Sequence, residues 1–324
     1  MNNKVEIALY DSLMTMDNYC ESQDWWTIGN RYSFKPDSEG PKKIKWLHRG
    51  GEVSSIKRAS PDNTLNAEIS VFTEKDLVSP LVDLVKSKYK IAWLHECRSI
   101  HPWAYGLILQ VENKFDYIFT FDDKLLKRKG KYVPGPPPAS SCVVEDEIQI
   151  YSKNKFMSMV ASTKGKDVII SKEAKGHFLR HIIAENLKKK NYDIDLWGSA
   201  YKAFPRGGKI STLKDYYFHI AIINGSHQNY FTDILTDCFR TGTVPIFWGC
   251  KNVGDFFNEK GILRFEKPKE LISILNSLSV QDYYDRIEYI KDNFRRVEEY
   301  FCTDDRFVDK LIEQGIIGED GNVK

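Results

Sequence analysis

Residues Leu213 to Phe257 read LKDYYFHIAIINGSHQNYFTDILTDCFRTGTVPIFWGCKNVGDFF, and this stretch decides the fold. Phe218–Ile223 is an almost continuous apolar run, which is typical of a strand covered on both faces. Apolar residues then recur at helical spacing from Ile234 to Phe239, and Val244–Trp248 is a second apolar run. The stretch therefore predicts a strand, a loop, a helix and a second, parallel strand, which together make a βαβ unit.

The ends of the predicted helix carry capping residues. Thr232 has the side chain of an N-cap, and Asp233 places a negative charge in the first turn, where the helix dipole favours it. Gly242 fits the left-handed residue that follows a helix C-terminus. Ligands of open parallel sheets bind at the carboxyl ends of the strands. We therefore expect the loops that follow the two strands, Asn224–Tyr230 and Gly249–Gly254, to lie side by side.

Composition sets broad limits on the class of protein. The chain has 324 residues, 42% of them hydrophobic, and a formal net charge of +2. This charge does not demand a nucleic acid or a membrane as partner. No stretch approaches the roughly 20 apolar residues of a spanning helix. The first residues, MNNKVEIALYDSL, lack the apolar run of a signal peptide. We expect a soluble, cytoplasmic protein, acting in the host cytoplasm if its origin is a phage.

Metal binding is not favoured by the sequence. The six cysteines form no C-x-x-C pair, which argues against a structural zinc site. Cys238 lies on the apolar face of the predicted helix, so we expect a buried, reduced thiol there. Asp193 and Asp195 form a D-x-D pair, but they alternate with apolar residues inside a predicted strand. We expect no metal site.

The first half of the chain predicts one doubly wound domain, residues 1–152. Its predicted elements are four strands and one helix, in the order Lys4–Tyr10, Ile69–Phe72, helix Ser79–Lys88, Lys90–Leu94 and Phe115–Phe121. His95, Glu96 and Arg98 directly follow a buried strand, which is the usual place for chemistry in α/β folds.

The second half, residues 153–324, repeats this alternation. Its further predicted elements are Phe156–Ala161, helix Gly176–Lys190, Tyr192–Trp197, Ile262–Phe265 and helices Lys269–Leu278, Gln281–Phe301 and Arg306–Gln314. The two halves predict an α/β protein of the GT-B architecture, in which two Rossmann-like domains face each other across a cleft. In that architecture the C-terminal helix returns to the first domain.

A basic segment, Lys42–Arg58, contains a tryptophan and two adjacent glycines. We interpret it as a flexible, solvated loop. The alternative is an acceptor-binding loop that also touches phosphate, in which Lys45 and Arg49 would take part.

The C-terminal motifs resemble glycosyltransferase family ten, the α-1,3-fucosyltransferases and their bacterial and viral relatives. The residues that carry the resemblance are Ile223–Ser226, Tyr230–Ile234 and TGTVPIFWG at Thr241–Gly249, with Ser162–Lys164, Gly176–Arg180 and Asp195–Gly198 upstream. More weakly, Lys90–Arg98 resembles the strand after which family members place a glutamate. The resemblance covers the C-terminal half firmly and the rest faintly.

The resemblance implies inverting transfer from a nucleotide sugar, usually GDP-fucose, to an acceptor hydroxyl, without an obligatory metal or other cofactor. The attacking hydroxyl must lose a proton, so a carboxylate base is needed, and Glu96 matches the family's base position. The alternative for Glu96 is a loop carboxylate that is exposed or paired with Arg98. His95 and Arg98, beside Glu96, are candidates for binding the acceptor.

The leaving diphosphate gains charge, so cations and helix N-termini should meet it. Arg180 matches a phosphate-binding arginine of the family, and Lys164 lies on a loop after a strand, where it could assist. Tyr230 and Asp233 match donor contacts. The further donor-binding candidates in the matching motifs are Asn224, Ser226, Thr232 and Gly249.

Three positions depart from the family pattern. Ile223 stands where the family carries a glutamate before asparagine, Asp233 shortens a second glutamate, and Ile234 replaces a lysine that contacts the diphosphate. We interpret these changes as altered donor specificity. The alternatives are that another cation replaces the lysine or that the site is degenerate.

These observations leave three hypotheses about the function. The leading hypothesis is a glycosyltransferase that acts on a glycan. A second is a phage enzyme that adds a sugar such as arabinose or glucose to a hydroxymethylated pyrimidine in DNA, which would be flipped from the stack. The basic segments Lys42–Arg58 and Lys124–Lys131 would then contact phosphates. A third is a sugar-nucleotide-binding protein without catalytic activity.

Overall fold

The structure is a computed structural model that describes residues 4–11, 19–20, 25–28, 34–35, 37–48, 64–161, 175–199 and 201–324. The chain divides into two compact units. The first contains Met1–Ser140 together with Cys302–Lys324, and the second contains Ser141–Phe301. The division therefore falls earlier than the predicted boundary after residue 152, and the last residues belong to the first unit.

The first unit is built on a parallel sheet. Its strands are β1 (Val5–Tyr10), β4 (Ile44–His48), β5 (Ile69–Thr73), β6 (Tyr89–Leu94), β7 (Tyr117–Thr120) and β8 (Tyr132–Pro134), and a separate antiparallel pair is formed by β2 (Tyr19–Cys20) and β3 (Trp25–Trp26). Within the described residues the sheet order is β4-β1-β5-β6-β7-β8, and every pairing is parallel.

Helices cover the first sheet. They are α1 (Leu81–Leu84), α2 (Pro102–Val111), α3 (Asp123–Leu126) and the C-terminal α9 (Thr303–Glu313). The C-terminal helix packs on the sheet through Phe307, whose ring stacks on Trp93 with 4.3 Å between centroids. Tyr105 and Ile108 of α2 belong to a second buried cluster, which also contains Phe72. The predicted return of the C-terminal helix to the first domain is confirmed.

The second unit repeats the architecture. Its strands are β9 (Lys155–Val160), β10 (Asp195–Trp197), β11 (Tyr216–Ile222), β12 (Val244–Trp248) and β13 (Leu263–Arg264), and its helices are α4 (Lys175–Lys189), α5 (Asp233–Thr241), α6 (Pro268–Ser277), α7 (Val280–Tyr284) and α8 (Ile287–Arg296). The order of the described strands is β10-β9-β11-β12-β13, again all parallel.

The predicted βαβ unit is confirmed in detail. β11 pairs with β12 in parallel, with Phe218 opposite Val244. The Thr232 hydroxyl accepts a hydrogen bond from the Ile234 amide at 3.3 Å and so caps α5. Gly242 has φ 69°, the left-handed conformation expected of a residue that stops a helix.

Two predictions about local structure were wrong. The basic segment Lys42–Arg58 is not a loop throughout, because Ile44–His48 is the edge strand β4. Ile44 and Trp46 are buried on it while the Lys45 side chain is 52% exposed, which is strand alternation. Residues 49–63 lie outside the described residues. The predicted helix at 79–88 shrinks to α1, preceded by a 3₁₀ turn at Glu74–Val78.

The predicted long helix Gln281–Phe301 is also wrong. It is divided into α7, α8 and a 3₁₀ turn at Val297–Tyr300. Arg286 leaves the helical conformation, with φ −103° and ψ 3°, and so ends the first segment. Charge patterning alone predicted continuity, because the break contains neither proline nor glycine. No helix among the described residues has the length and apolar character needed to cross a membrane.

Candidate functional site

The loops that follow β11 and β12 lie side by side, as the topology predicted. The Ser226 hydroxyl donates to the Gly249 carbonyl oxygen at 2.9 Å. Further along, the Asn229 amide donates to Asn252 Oδ1 at 2.7 Å. Two of the predicted donor-binding residues, Ser226 and Gly249, are therefore in direct contact at the carboxyl end of this sheet.

Arg180 lies beneath the same edge. Its side chain is buried, and Nε donates to the Ile222 carbonyl oxygen at 2.6 Å. Nη2 donates to Asn224 Oδ1 at 2.9 Å, and Nη1 lies 3.3 Å from His177 Nδ1. These contacts fix the guanidinium plane against the first residues after β11. Arg180 and Asn224, two predicted donor-binding residues, are thus brought together.

Gly176 allows α4 to begin against this loop. Its amide donates to the Asn224 carbonyl oxygen at 3.2 Å. A Cβ at Gly176 would lie 1.9 Å from the Ile223 carbonyl oxygen, a backbone atom, so only glycine permits this approach. The N-terminus of a helix attracts anions, because its first amides lack partners and its dipole is positive there. The Gly176 amide is already used by Asn224, so the positive end of the helix dipole and Arg180 are the two features of an anion site on this element.

Asp233 lies in a cluster of charged side chains. Its carboxylate forms an ion pair with Lys209, and Lys209 Nζ also lies 2.9 Å from Asp237 Oδ2. Asp237 in turn pairs with Arg240 at 3.0 Å. Burial opposes ionisation of Asp233, but Lys209 outweighs this and lowers the pKa of the Asp233 carboxyl below its usual value. The cluster of two acids and two bases is neutral, and sequence reasoning missed Lys209 altogether.

The only arrangement of metal-ligand type among the described residues lies in this cluster. The ligand atoms of Cys142, Asp233 and Asp237 lie within 4.8 Å of one another. The Lys209 ammonium already contacts both carboxylates, so a cation of the protein itself fills this role. Asp195, of the D-x-D pair, is bound by Lys202 at 2.9 Å and by the Tyr216 hydroxyl at 2.8 Å.

The remaining donor-binding candidates are buried or lie outside the described residues. Tyr230 is fully buried, with its ring 6.1 Å from that of His227. Thr232 is the buried cap of α5. Cys238 is a buried free thiol, as predicted. Lys164 lies outside the described residues.

In the first unit, acidic side chains collect at the carboxyl edge of the sheet. Asp11 follows β1, Glu74 follows β5, Glu96 follows β6 and Asp122 follows β7. Asp11, Glu74 and Asp122 are all buried. Sequence reasoning singled out only Glu96 as a site residue, although each of the others stands within two residues of a strand end.

Glu74 organises the residues after β6. Its Oε1 accepts from the backbone amides of His95 and Glu96, both at 2.9 Å, and lies 3.1 Å from His95 Nδ1. Burial raises the pKa of Glu74, but His95 and the amide of Glu96 outweigh this and lower it. Burial also lowers the pKa of His95, yet Glu74, Asp11 and Glu96 raise it to about 9.

Arg98 is held on the same edge. It forms a bidentate ion pair with Asp122, at 3.0 and 2.9 Å, and lies 4.3 Å from the centre of the Tyr105 ring. The Tyr105 hydroxyl donates to the Glu96 carbonyl oxygen at 2.7 Å, and Glu96 Oε1 accepts from the Cys97 amide at 2.8 Å. His95, Glu96 and Arg98 therefore form one connected group.

The two basic acceptor-binding candidates do not join this group in the described residues. Lys45 lies on the edge strand β4 and pairs with Glu6 of β1 at 2.8 Å, and both side chains are exposed. Arg49 lies outside the described residues.

Comparisons with known proteins bear on both halves. Residues 157–307 match the family described as glycosyltransferase family 10 (fucosyltransferase), C-terminal. A 3-galactosyl-N-acetylglucosaminide 4-alpha-L-fucosyltransferase of Bos taurus is 26% identical over 160 residues, which cover 48% of this chain and 40% of the relative. The chain thus aligns with less than half of that relative's length.

Solved structures show the fold of the whole chain. An alpha-glucosyltransferase in complex with UDP-glucose and DNA containing an abasic site is 13% identical, with a TM-score of 0.55 over 95% of this chain and 100% of that one. Anabaena Alr3699/HepE in complex with UDP-glucose is 9% identical, with a TM-score of 0.57 over 96% and 100%. Identities this low concern the fold alone. Residues 157–307 are therefore similar to the C-terminal region of glycosyltransferase family 10, in a chain that has the GT-B fold.

Proposed function

We propose that this protein transfers a sugar from a nucleotide-sugar donor to an acceptor hydroxyl with inversion at the anomeric carbon. The observation that carries the proposal is the meeting of Arg180, Asn224 and the N-terminus of α4 at one strand end. This meeting point lies within residues 157–307, the segment that matches the family. An anion-binding arrangement at the carboxyl end of a parallel sheet is suited to a nucleoside diphosphate.

The donor diphosphate would bind at this edge of the second unit. Arg180 would lie against it, because the hydrogen bonds of Nε and Nη2 leave the orientation of the guanidinium fixed. Preorganised charge costs no reorganisation when the leaving group becomes more negative. The loops joined by Ser226 and Gly249 would hold the rest of the donor.

The donor sugar differs from fucose in this proposal. Ile223 is fully buried at the position where the resembling family carries a glutamate. Lys209 does not stand in for the lysine replaced by Ile234, because Asp233 and Asp237 already neutralise its charge. The polar contacts expected for GDP-fucose are therefore incomplete here. No metal or other cofactor is needed in the proposed reaction.

Glu96 would act as the base in the first unit. The acceptor hydroxyl loses its proton to the Glu96 carboxylate while its oxygen forms a bond to the anomeric carbon. The bond from that carbon to the diphosphate oxygen breaks, and the diphosphate leaves with the electron pair. This single displacement accounts for inversion.

We favour a glycan acceptor over DNA. The basic run Lys124–Lys131 is the second segment that would contact DNA phosphates, and its Arg128 and Lys131 side chains make internal contacts. Arg128 pairs with Glu112 at 3.0 Å, and Lys131 donates to the carbonyl oxygens of Glu112 and Phe115 at 2.8 and 2.7 Å. These contacts reduce the charge that the run could offer to phosphates.

The test is release of the nucleotide, a diphosphate from GDP-, UDP- and ADP-sugars and a monophosphate from CMP-sugars, with glycans or with hydroxymethylated DNA as acceptors. We expect glycan-dependent release from one donor, with Glu96→Gln abolishing transfer and leaving donor binding intact. Glu68→Gln, an exposed carboxylate of the same unit, is the matched control and should transfer normally. Release that requires DNA, and binding to DNA that weakens steeply with salt, would reject the glycan acceptor. No release from any donor by a folded protein would reject the enzyme and favour the binding protein.

A further inference from the structure

Glu74 is a fully buried carboxylate in the first unit that the reaction above does not use. A buried charge is costly unless it is paired and hydrogen-bonded, and a well-packed apolar residue is often as stable in its place. Glu74 meets the first condition, because it accepts from two backbone amides and from an imidazole. The three donors come from His95 and Glu96 alone, which are consecutive residues. Its hydrogen bonds are therefore all directed at the turn that carries the proposed base.

We propose that Glu74 is a positioning residue for sugar transfer, which fixes the His95–Glu96 turn and assigns the role of base to Glu96 instead of His95. This proposal rests on the proposed function. The hydrogen-bond geometry around Glu96 supports this role. Because both amides bond to one oxygen of a buried group that directly follows the neighbouring strand β5, the backbone of Glu96 cannot rotate without breaking a hydrogen bond. The Tyr105 hydroxyl also donates to the Glu96 carbonyl oxygen, at 2.7 Å.

The charges around His95 support this role as well. His95 and Glu96 stand next to each other, and imidazole is the commonest general base in enzymes. The charged groups that act on His95 are Glu74, Asp11 and Glu96, and together they outweigh burial and raise the pKa of His95 to about 9. At neutral pH both ring nitrogens then carry protons, so the ring has no lone pair with which to take a proton from the acceptor.

The charge on His95 has a definite pH range. Its pKa in the folded protein exceeds the usual histidine value of 6.5, so the imidazolium persists through neutral pH and is lost as the pH rises through about 9. Removal of the Glu74 charge leaves burial, which lowers the pKa of His95, opposed by Asp11 and Glu96. A neutral Glu74 variant should therefore lower the pKa of His95 and reduce its charge near neutral pH.

The first experiment measures the pKa of His95 by NMR in the full chain, with labelled histidine and with His95→Asn to assign the signal. In the wild type we expect a value well above 6.5. In Glu74→Gln, which keeps an oxygen for the two amides, we expect a fall of more than one unit. Glu74→Asp keeps the charge and should retain most of the elevation, and Glu68→Gln should change nothing. A wild-type value at or below 6.5, or no fall in Glu74→Gln, overturns the proposal whether or not transfer is observed.

The second experiment follows transfer as a function of pH. Glu74→Gln should lower kcat at least tenfold while the KM for the donor changes less than threefold, because the donor binds to the other unit. Glu74→Asp should recover part of kcat. The double variant Glu74→Gln/Glu96→Gln should transfer faster than Glu96→Gln, because its neutral His95 can accept the proton. Equal inactivity of the double variant and Glu96→Gln contradicts the proposal. A fall in the activity of Glu74→Gln that is fully explained by a smaller fraction of folded protein also contradicts it. Absence of transfer by the wild type rejects the proposed function, and the NMR result then decides whether Glu74 controls His95.

Discussion

Arg180 donates through Nη2 to Asn224 Oδ1 at 2.9 Å, and this bond ties helix α4 to the loop after β11. Arginine and lysine are not equivalent in such a position, because the planar guanidinium serves several acceptors at fixed angles while the ammonium acts as a point charge. The bond therefore links the shape of the proposed donor site to one side chain.

Substitution of Arg180 should weaken donor binding even when the charge is kept. We expect Arg180→Lys and Arg180→Ala both to raise the Kd for the nucleotide at least tenfold, which corresponds to about 1.4 kcal/mol. Isothermal titration measures this. Arg206→Ala, at an exposed arginine of the same unit, should bind as the wild type does. Unchanged affinity in Arg180→Ala would remove Arg180 from the donor site.

A methyl group at Gly176 should destabilise the protein. The added Cβ would lie 1.9 Å from the Ile223 carbonyl oxygen, so the start of α4 or the loop must shift. We expect Gly176→Ala to lower the free energy of unfolding by about 2–3 kcal/mol. Urea denaturation measures it. Gly106→Ala is the control, because no atom lies within 4 Å of its Cβ in helix α2, and it should stabilise by about 0.5–1 kcal/mol. Equal effects at the two glycines would contradict the close approach.

The ion cluster at Lys209 should be sensitive to loss of its central cation. Lys209→Met leaves the Asp233 and Asp237 carboxylates with Arg240 as the one remaining base of the cluster, and we expect a loss of about 3 kcal/mol in the free energy of unfolding. Lys202→Met breaks an exposed ion pair with Asp195 instead and should cost less than about 1 kcal/mol. Similar losses measured by urea denaturation would show that the cluster is not held by Lys209.

His219 should make stability fall in acid. It is buried in β11 with Nδ1 2.8 Å from the Ser158 hydroxyl, and burial together with the charge of Lys209 lowers its pKa to about 3. The unfolded chain binds a proton to this histidine below pH 6.5 and the folded chain does not, so stability decreases as the pH falls from 6.5 towards 3. The contribution is about 2 kcal/mol between pH 7 and pH 5.

The slope of stability against pH, measured by urea denaturation, isolates this effect. His219→Asn should lower stability at pH 7 but show a smaller loss between pH 7 and pH 5 than the wild type. Parallel curves for the two proteins would show that His219 is protonated in the folded state.

The sequence predicts the framework of this protein well, because the framework depends on local patterns. The apolar runs at Phe218–Ile223 and Val244–Trp248 and the caps Thr232 and Gly242 each act within a few residues. The short alternation at Ile44 and Trp46 was hidden among basic residues, which favour a loop. Local sequence patterns therefore fail to predict an element when only a few residues specify it.

Side-chain partners across elements could not be predicted in the same way. Glu74 meets His95 from 21 residues away, and Lys209 meets Asp233 from 24 residues away. No periodicity or cap encodes such a pair, because the meeting depends on the register of neighbouring strands and turns. The predicted donor role of Asp233 took no account of Lys209 for this reason.

The most direct test of the account is a measurement of nucleotide-sugar binding by thermal shift, with GDP-, UDP-, ADP- and CMP-sugars against the wild type and Arg180→Ala. A ligand that binds only the folded chain stabilises it by about 2.7 kcal/mol at 100 times its Kd. We predict that one nucleotide sugar raises the melting temperature of the wild type and raises that of a folded Arg180→Ala variant much less. No shift with any of the nucleotide sugars, or equal shifts in the two proteins, would contradict the donor site described above.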